Sequence, residues 1–153
     1  MKIAMRALQL GLIVFLAIAA TTFHCHAQSP IDSIAESHIE GNVPDAANFN
    51  AFLVRDLEAY FRALMKKPMK VTYELLRDGP TQTGIAYPKY YAWVRAIEGK
   101  KTIAEGAVRL AAVQKKYFEV TDFLSVGEMR RDSKAIFHVF PKAVGDKILL
   151  RLN

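Results

Sequence analysis

A change of hydrophobic period at Pro68 constrains this chain more than any other feature. Before it, Phe49, Phe52, Leu53, Leu57, Tyr60, Phe61 and Leu64 recur at three- and four-residue steps, the apolar stripe of a helix. Asp45 or Asn48 suits the start of that helix, and Glu58 precedes Arg62 in the order that favours an ion pair. Lys66 and Lys67 suit its negative end, where Pro68 stops it. Beyond Pro68 the period is two. Residues 70–78 alternate, with Val71, Tyr73 and Leu75 on one face and Thr72 and Glu74 on the other. Asp78-Gly79-Pro80 breaks the run, and residues 81–86 read as a loop.

Residues 89–98 predict a second strand and residues 102–115 a long third one, joined by a turn at Glu98-Gly99-Lys100-Lys101. Residues 117–123 continue as a fourth strand or as the bent tail of the third. Ser125 and Glu128 match a capping box. Ile136, Phe137 and Phe140 suggest a further apolar turn before Pro141, and residues 144–152 a last short element. The predicted fold is therefore α+β: a long N-terminal helix on a curved antiparallel sheet of three to four strands, with short C-terminal helices. It spans residues 45–153 as one domain, after a flexible segment at 28–44 in which Ile31, Ile34 and Ile39 suggest a short helix.

Setting Ile97 opposite Ile103 gives the sheet two unlike faces. Tyr90, Ala92, Val94 and Ala96 then lie across from Ala104, Gly106, Val108 and Leu110, a small-residue surface on which a Phe-rich helix fits. The other face carries Tyr91, Trp93, Arg95 and Ile97 with Glu105, Ala107 and Arg109, and pairs Arg95 with Glu105. Tyr, Trp and Arg dominate interface energetics, so Tyr91, Trp93, Arg95 and Arg109, with Glu105 orienting Arg95, are the candidate ligand-binding residues. The alternative is that Ile136, Phe137 and Phe140 bury themselves on this face. A one-residue slip would exchange the faces.

The first 27 residues read as a signal peptide. Lys2 and Arg6 precede an uncharged run at 7–20, too short for a bilayer-spanning helix, and Ala27 stands before an expected cut. A retained anchor is the alternative, as is lipidation of Cys25, although Phe23 and His24 do not suit a lipidation signal. Cleavage would leave 126 of 153 residues, 19 basic and 15 acidic, a net +4 rather than +6, with no Cys. The expected location is periplasmic or secreted, where a cysteine-free domain must rely on its core.

The chain has no Gly-x-Ser-x-Gly elbow, His-Glu-x-x-His pair, phosphate-binding glycine loop or calcium loop. Ser125, Asp132 and His138 could be assembled into a triad, and Glu74 with Glu105 into an acid–base pair, but capping and surface ion pairing explain them more simply. No catalytic residue, cofactor or metal is expected. The four basic doublets, at 66–67, 100–101, 115–116 and 130–131, are dispersed. They argue against nucleic acid and leave contact with an anionic envelope surface open.

The order of long helix then long antiparallel strands over residues 45–123 resembles the cystatin-like and nuclear-transport-factor-like superfold, and small secreted bacterial proteins of that shape. Gln82-Thr83-Gly84 lacks the Val and the spacing of the cystatin Gln-x-Val-x-Gly loop, so the resemblance does not imply protease inhibition. It implies a cone between helix and sheet where such folds hold ligands, with Asp56, Tyr60 and Tyr73 as inward polar groups. The sequence thus predicts an exported, non-enzymatic module that binds a partner protein or small ligand. A small enzyme or carrier using that cone, and a homodimer formed through the sheet, are the alternatives.

Overall fold

The computed structural model describes residues 29–153; the signal-peptide expectation falls outside the described residues. The elements run α1 (Pro30–Asn42), α2 (Ala46–Met65), β1 (Lys70–Leu75), β2 (Lys89–Glu98), β3 (Lys101–Val113), β4 (Tyr117–Ser125), α3 (Val126–Arg131), α4 (Lys134–Val139) and α5 (Lys142–Leu152). The class is α+β, with a four-stranded antiparallel meander in the order β1-β2-β3-β4.

The apolar stripe from Phe49 to Leu64 lies on α2, which buries Leu53, Leu57 and Phe61 completely. Asp45 starts the helix through its carbonyl, which accepts from Asn48 and Phe49, while its carboxylate makes no capping bond. Lys66 ends it in the left-handed conformation at φ 56°, two residues before Pro68. This helix is not the first element. Residues 30–42, expected to be mostly flexible, form α1, because Ser29 caps Asp32 N–H and Pro30 occupies the first helical turn. α1 has no buried residue, and Ile31 is 74% exposed. Asn42 ties its end to the β3–β4 turn, accepting from Gln114 and Lys115 N–H.

The register between β2 and β3 is the one that alternation predicts from Tyr90 opposite Leu110 to Ala96 opposite Ala104. A bulge after Ala96 then sets Ile97 opposite Thr102 instead of Ile103. β1 stops at Leu75, short of the expected 78; Leu75 packs with α2 and Leu76, whose N–H still donates to the Tyr91 carbonyl, packs on the opposite side of the sheet as alternation requires. Thr81 and Lys89 close the base of the following loop with a reciprocal pair of 2.8 Å backbone bonds.

Both faces of the sheet are covered. On one, α2 packs over Tyr90, Ala92, Val94, Ala96, Val108, Leu110 and Phe118. Phe49, Tyr90 and Phe118 meet edge to face there, with centroids 5.0 to 5.7 Å apart. On the other, Met129, Ile136, Phe140, Val144 and Ile148 from α3, α4 and α5 pack over Tyr91, Trp93 and Ala107. The expectation of an open aromatic face is corrected here. Tyr91 is 4% exposed and Trp93 5%, because the spaced apolar residues of the C-terminal helices find no other surface to bury on. Ile136 and Phe140 cover the face as the alternative had it, but Phe137 points outward at 44% exposure.

Candidate functional site

The five residues picked from alternation separate into three environments. Tyr91 is core: its ring packs on Phe140 and its hydroxyl shares a 2.6 Å hydrogen bond with Thr81 Oγ1. Arg109 is a strap. Its guanidinium pairs with Asp122 at 2.6 Å and donates at 3.0 Å to the carbonyl of Val139, the last residue of α4. It thereby pins the C-terminal layer to the sheet and is spent on structure.

Trp93, Arg95 and Glu105 do come together. Strand alternation puts Trp93 and Arg95 on one face of β2, and the register sets Glu105 of β3 directly opposite Arg95. Glu105 Oε1 accepts from Arg95 Nε and from Trp93 Nε1, each at 2.8 Å. These two bonds, Arg95 first, hold the Glu105 carboxyl below its ordinary pKa. The indole is thus satisfied beside the exposed Arg95. The Arg95 side chain remains 55% exposed.

Two residues that alternation alone did not single out complete the cluster. Arg151, in the last turn of α5, pairs with Glu74 of β1, and its guanidinium lies 5.5 Å from the centroid of the Trp93 ring. The Arg151 bond lowers the Glu74 pKa. Glu74 was legible as a polar-face residue of β1, but nothing in the sequence brings position 151 beside it. Thr72, Tyr73, Glu74, Trp93, Arg95 and Arg151 line a shallow recess of about 220 Å³.

A second recess, of about 520 Å³, lies where β3 runs on past the end of β4. Met65, Ile103, Ala104, Phe123 and Val126 give it apolar walls, and Thr102, Glu105 and Ser125 add polar groups. Glu105 therefore stands between the two recesses.

The region holds two fixed ion pairs, Arg95 with Glu105 and Arg151 with Glu74. Each carboxylate is matched to an arginine and held ionised, so neither is tuned to carry a proton near neutral pH. Ser125 is engaged as the cap of α3, accepting from Glu128 N–H and donating to its carboxylate at 2.6 Å. Asp132 accepts from Lys134 N–H at the start of α4, and His138 is exposed. The inward polar groups expected of a ligand cone are also engaged locally. Asp56 accepts from Phe118 N–H at 2.6 Å, and Tyr73 donates to Asn50 at 2.8 Å. Tyr60 packs against Phe61 and Phe123. Among the described residues no three His, Cys, Asp or Glu side chains are grouped as a metal site, and no helix is long and apolar enough to cross a membrane. The chain matches no protein-family model, no curated protein and no solved structure.

Proposed function

We propose that this chain is an exported, non-enzymatic binding module that recognises a partner protein through the rim formed by Arg95, Glu105, Glu74 and Arg151. The observation that carries the reading is the fixation of Arg95. An exposed guanidinium is held by a carboxylate that a buried indole also holds, so little side-chain entropy is lost when a partner meets it. Arginine and the aromatic residues are enriched in protein interfaces. The export part of the reading rests on Lys2, Arg6 and the uncharged run at 7–20. The element order, with the twenty-residue helix α2 packed on a four-stranded antiparallel meander, supports an architecture resembling the cystatin-like superfold.

A photo-crosslinking side chain at Thr72, inside the recess, tests this in the producing cells. A discrete adduct is expected, and Arg95→Glu should abolish it while leaving the fold intact. The same adduct surviving Arg95→Glu, or forming equally from a probe at Glu119 on β4, would refute the assignment. The 520 Å³ recess favours a second reading, a carrier of a small, mainly apolar ligand. Ala104→Trp would fill that recess, so retained uptake of an apolar fluorescent probe by this variant would remove the reading.

A further inference from the structure

One end of the domain concentrates positive charge that the linear sequence scatters. The last turn of α2, the α2–β1 connection and the β2–β3 turn meet there. Lys67 Nζ reaches Glu98 Oε2 at 2.5 Å, Lys70 pairs in register with Ile97, and Lys101 pairs with Glu98. Arg62, Lys66, Lys67, Lys70, Lys100 and Lys101 thus gather at one pole around Glu98. Among the described residues, Lys67 alone of the six has an ion-pair partner. Arg62, Lys66, Lys70, Lys100 and Lys101 are all exposed. Two of the doublets, at 66–67 and 100–101, are therefore one surface.

The apolar groups of this pole are shallow. Leu64 is 49% exposed, Pro68 is exposed, and Pro68, Met69, Lys70, Ile97 and Gly99 line a recess of about 320 Å³. None of the exposed large aromatics, Tyr87, Tyr117 and Phe137, lies here. That composition decides among polyanions. Single-stranded nucleic acid is held by stacking on exposed aromatic rings as well as by charge, and the ring that borders the pole, Phe123, is half-buried in the recess beside Met65 and Thr102. Protein interfaces are depleted in lysine and enriched in aromatics and arginine. Lysines are flexible, strongly hydrated point charges that need no fixed geometry, and they suit a diffuse plane of negative headgroups.

We propose that this lysine pole docks the domain on an anionic lipid bilayer, with the four doublet lysines facing the headgroups and Leu64 and Pro68 touching the interface. The charge complementarity is that of a peripheral contact, reversible and weakened by salt. The proposal is independent of the Arg95 rim, which lies on the face covered by the C-terminal helices.

Sedimentation of residues 28–153, the chain that the expected cut leaves and that holds every described element, with vesicles tests it, comparing phosphatidylcholine alone with phosphatidylcholine containing phosphatidylglycerol. Binding should require phosphatidylglycerol and fall as salt rises. The variant Lys66→Asn, Lys67→Gln, Lys100→Gln, Lys101→Gln keeps a residue tolerant of the left-handed conformation at 66 and should weaken partitioning roughly fivefold per lysine removed. A control that removes the same charge elsewhere, Lys115→Asn, Lys116→Gln, Lys134→Gln, Lys147→Gln, with Asn again at the left-handed position, should bind within a few-fold of the parent chain. Equal loss in the control would mean that net charge alone governs binding, and would overturn the proposal. So would salt-independent binding to neutral vesicles, or tighter binding to a single-stranded oligonucleotide than to the anionic vesicles.

Discussion

Adding one methyl group at Gly106 should unseat the end of the sheet. Gly106 of β3 pairs with Ser125, the last residue of β4 and the cap of α3. A Cβ built on Gly106 would stand 2.1 Å from the Leu124 carbonyl oxygen, 2.8 Å from Ser125 Cα and 2.9 Å from Leu124 C. All three are backbone atoms, so no side chain can swing away, and β4 must retreat by more than about 1 Å to reach ordinary contact. Alanine recovers about 0.5–1 kcal/mol of chain entropy relative to glycine, whereas overpacking costs about 1–3 kcal/mol. Losing the Ser125 pairing adds about 1 kcal/mol. The net expectation for Gly106→Ala is a loss of about 2 kcal/mol in urea unfolding. Gly127→Ala is the matched control. It lies in α3 with nothing within 4 Å of the new methyl, and it should stabilise by a few tenths to about 1 kcal/mol through helix propensity. Equal stability of Gly106→Ala and the parent chain would refute the close approach of β3 and β4, and with it the geometry of the adjoining recess.

Two further outcomes follow from the same structure. Ser125→Ala removes half of a complete capping box and should cost about 1 kcal/mol by chemical denaturation, with the loss confined to the unfolding midpoint and not the slope. Glu74, Glu105 and Glu128 all have folded pKa values below their ordinary ones, through bonds to Arg151, to Arg95 and Trp93, and to Ser125 respectively. Their stabilisation is therefore complete above the unfolded carboxylate value of about 4.3 and is lost as pH falls through the depressed folded values. Stability measured against pH should drop on the acid side of that range, and Glu105→Gln should make the drop shallower.

The parts of the fold legible in the sequence are those where one face of an element is buried by a neighbour close in the chain. Alternation set the pairing of Arg95 with Glu105 because a slip would have turned Val94 and Ala96 away from α2. The capping box at Ser125 was equally plain, since both partners lie within four residues. What covers the far face was not settled, because it depends on contacts between residues distant in the chain, such as Tyr91 with Phe140. A signal was present: Ile136, Phe140, Val144, Ile148 and Leu152 recur every four residues across Pro141, and the first four bury themselves on Tyr91, Trp93 and Ala107. The bulge after Ala96 and the role of Arg109 had no such signal. A surface arginine on a strand looks the same in sequence whether it meets a ligand or the last carbonyl of α4. Arg151 was invisible for the same reason, since its partner Glu74 lies 77 positions away.

The central claim is that the sheet has two buried faces and that recognition is left to the rim. Trp93 is the chain's single tryptophan, so its fluorescence reports on that claim without any substitution. At 5% exposure, with its indole N–H bonded to Glu105, it should emit to the blue of the urea-unfolded chain and resist quenching by acrylamide. Emission and quenching equal to those of the unfolded chain would place Trp93 in water and contradict the account.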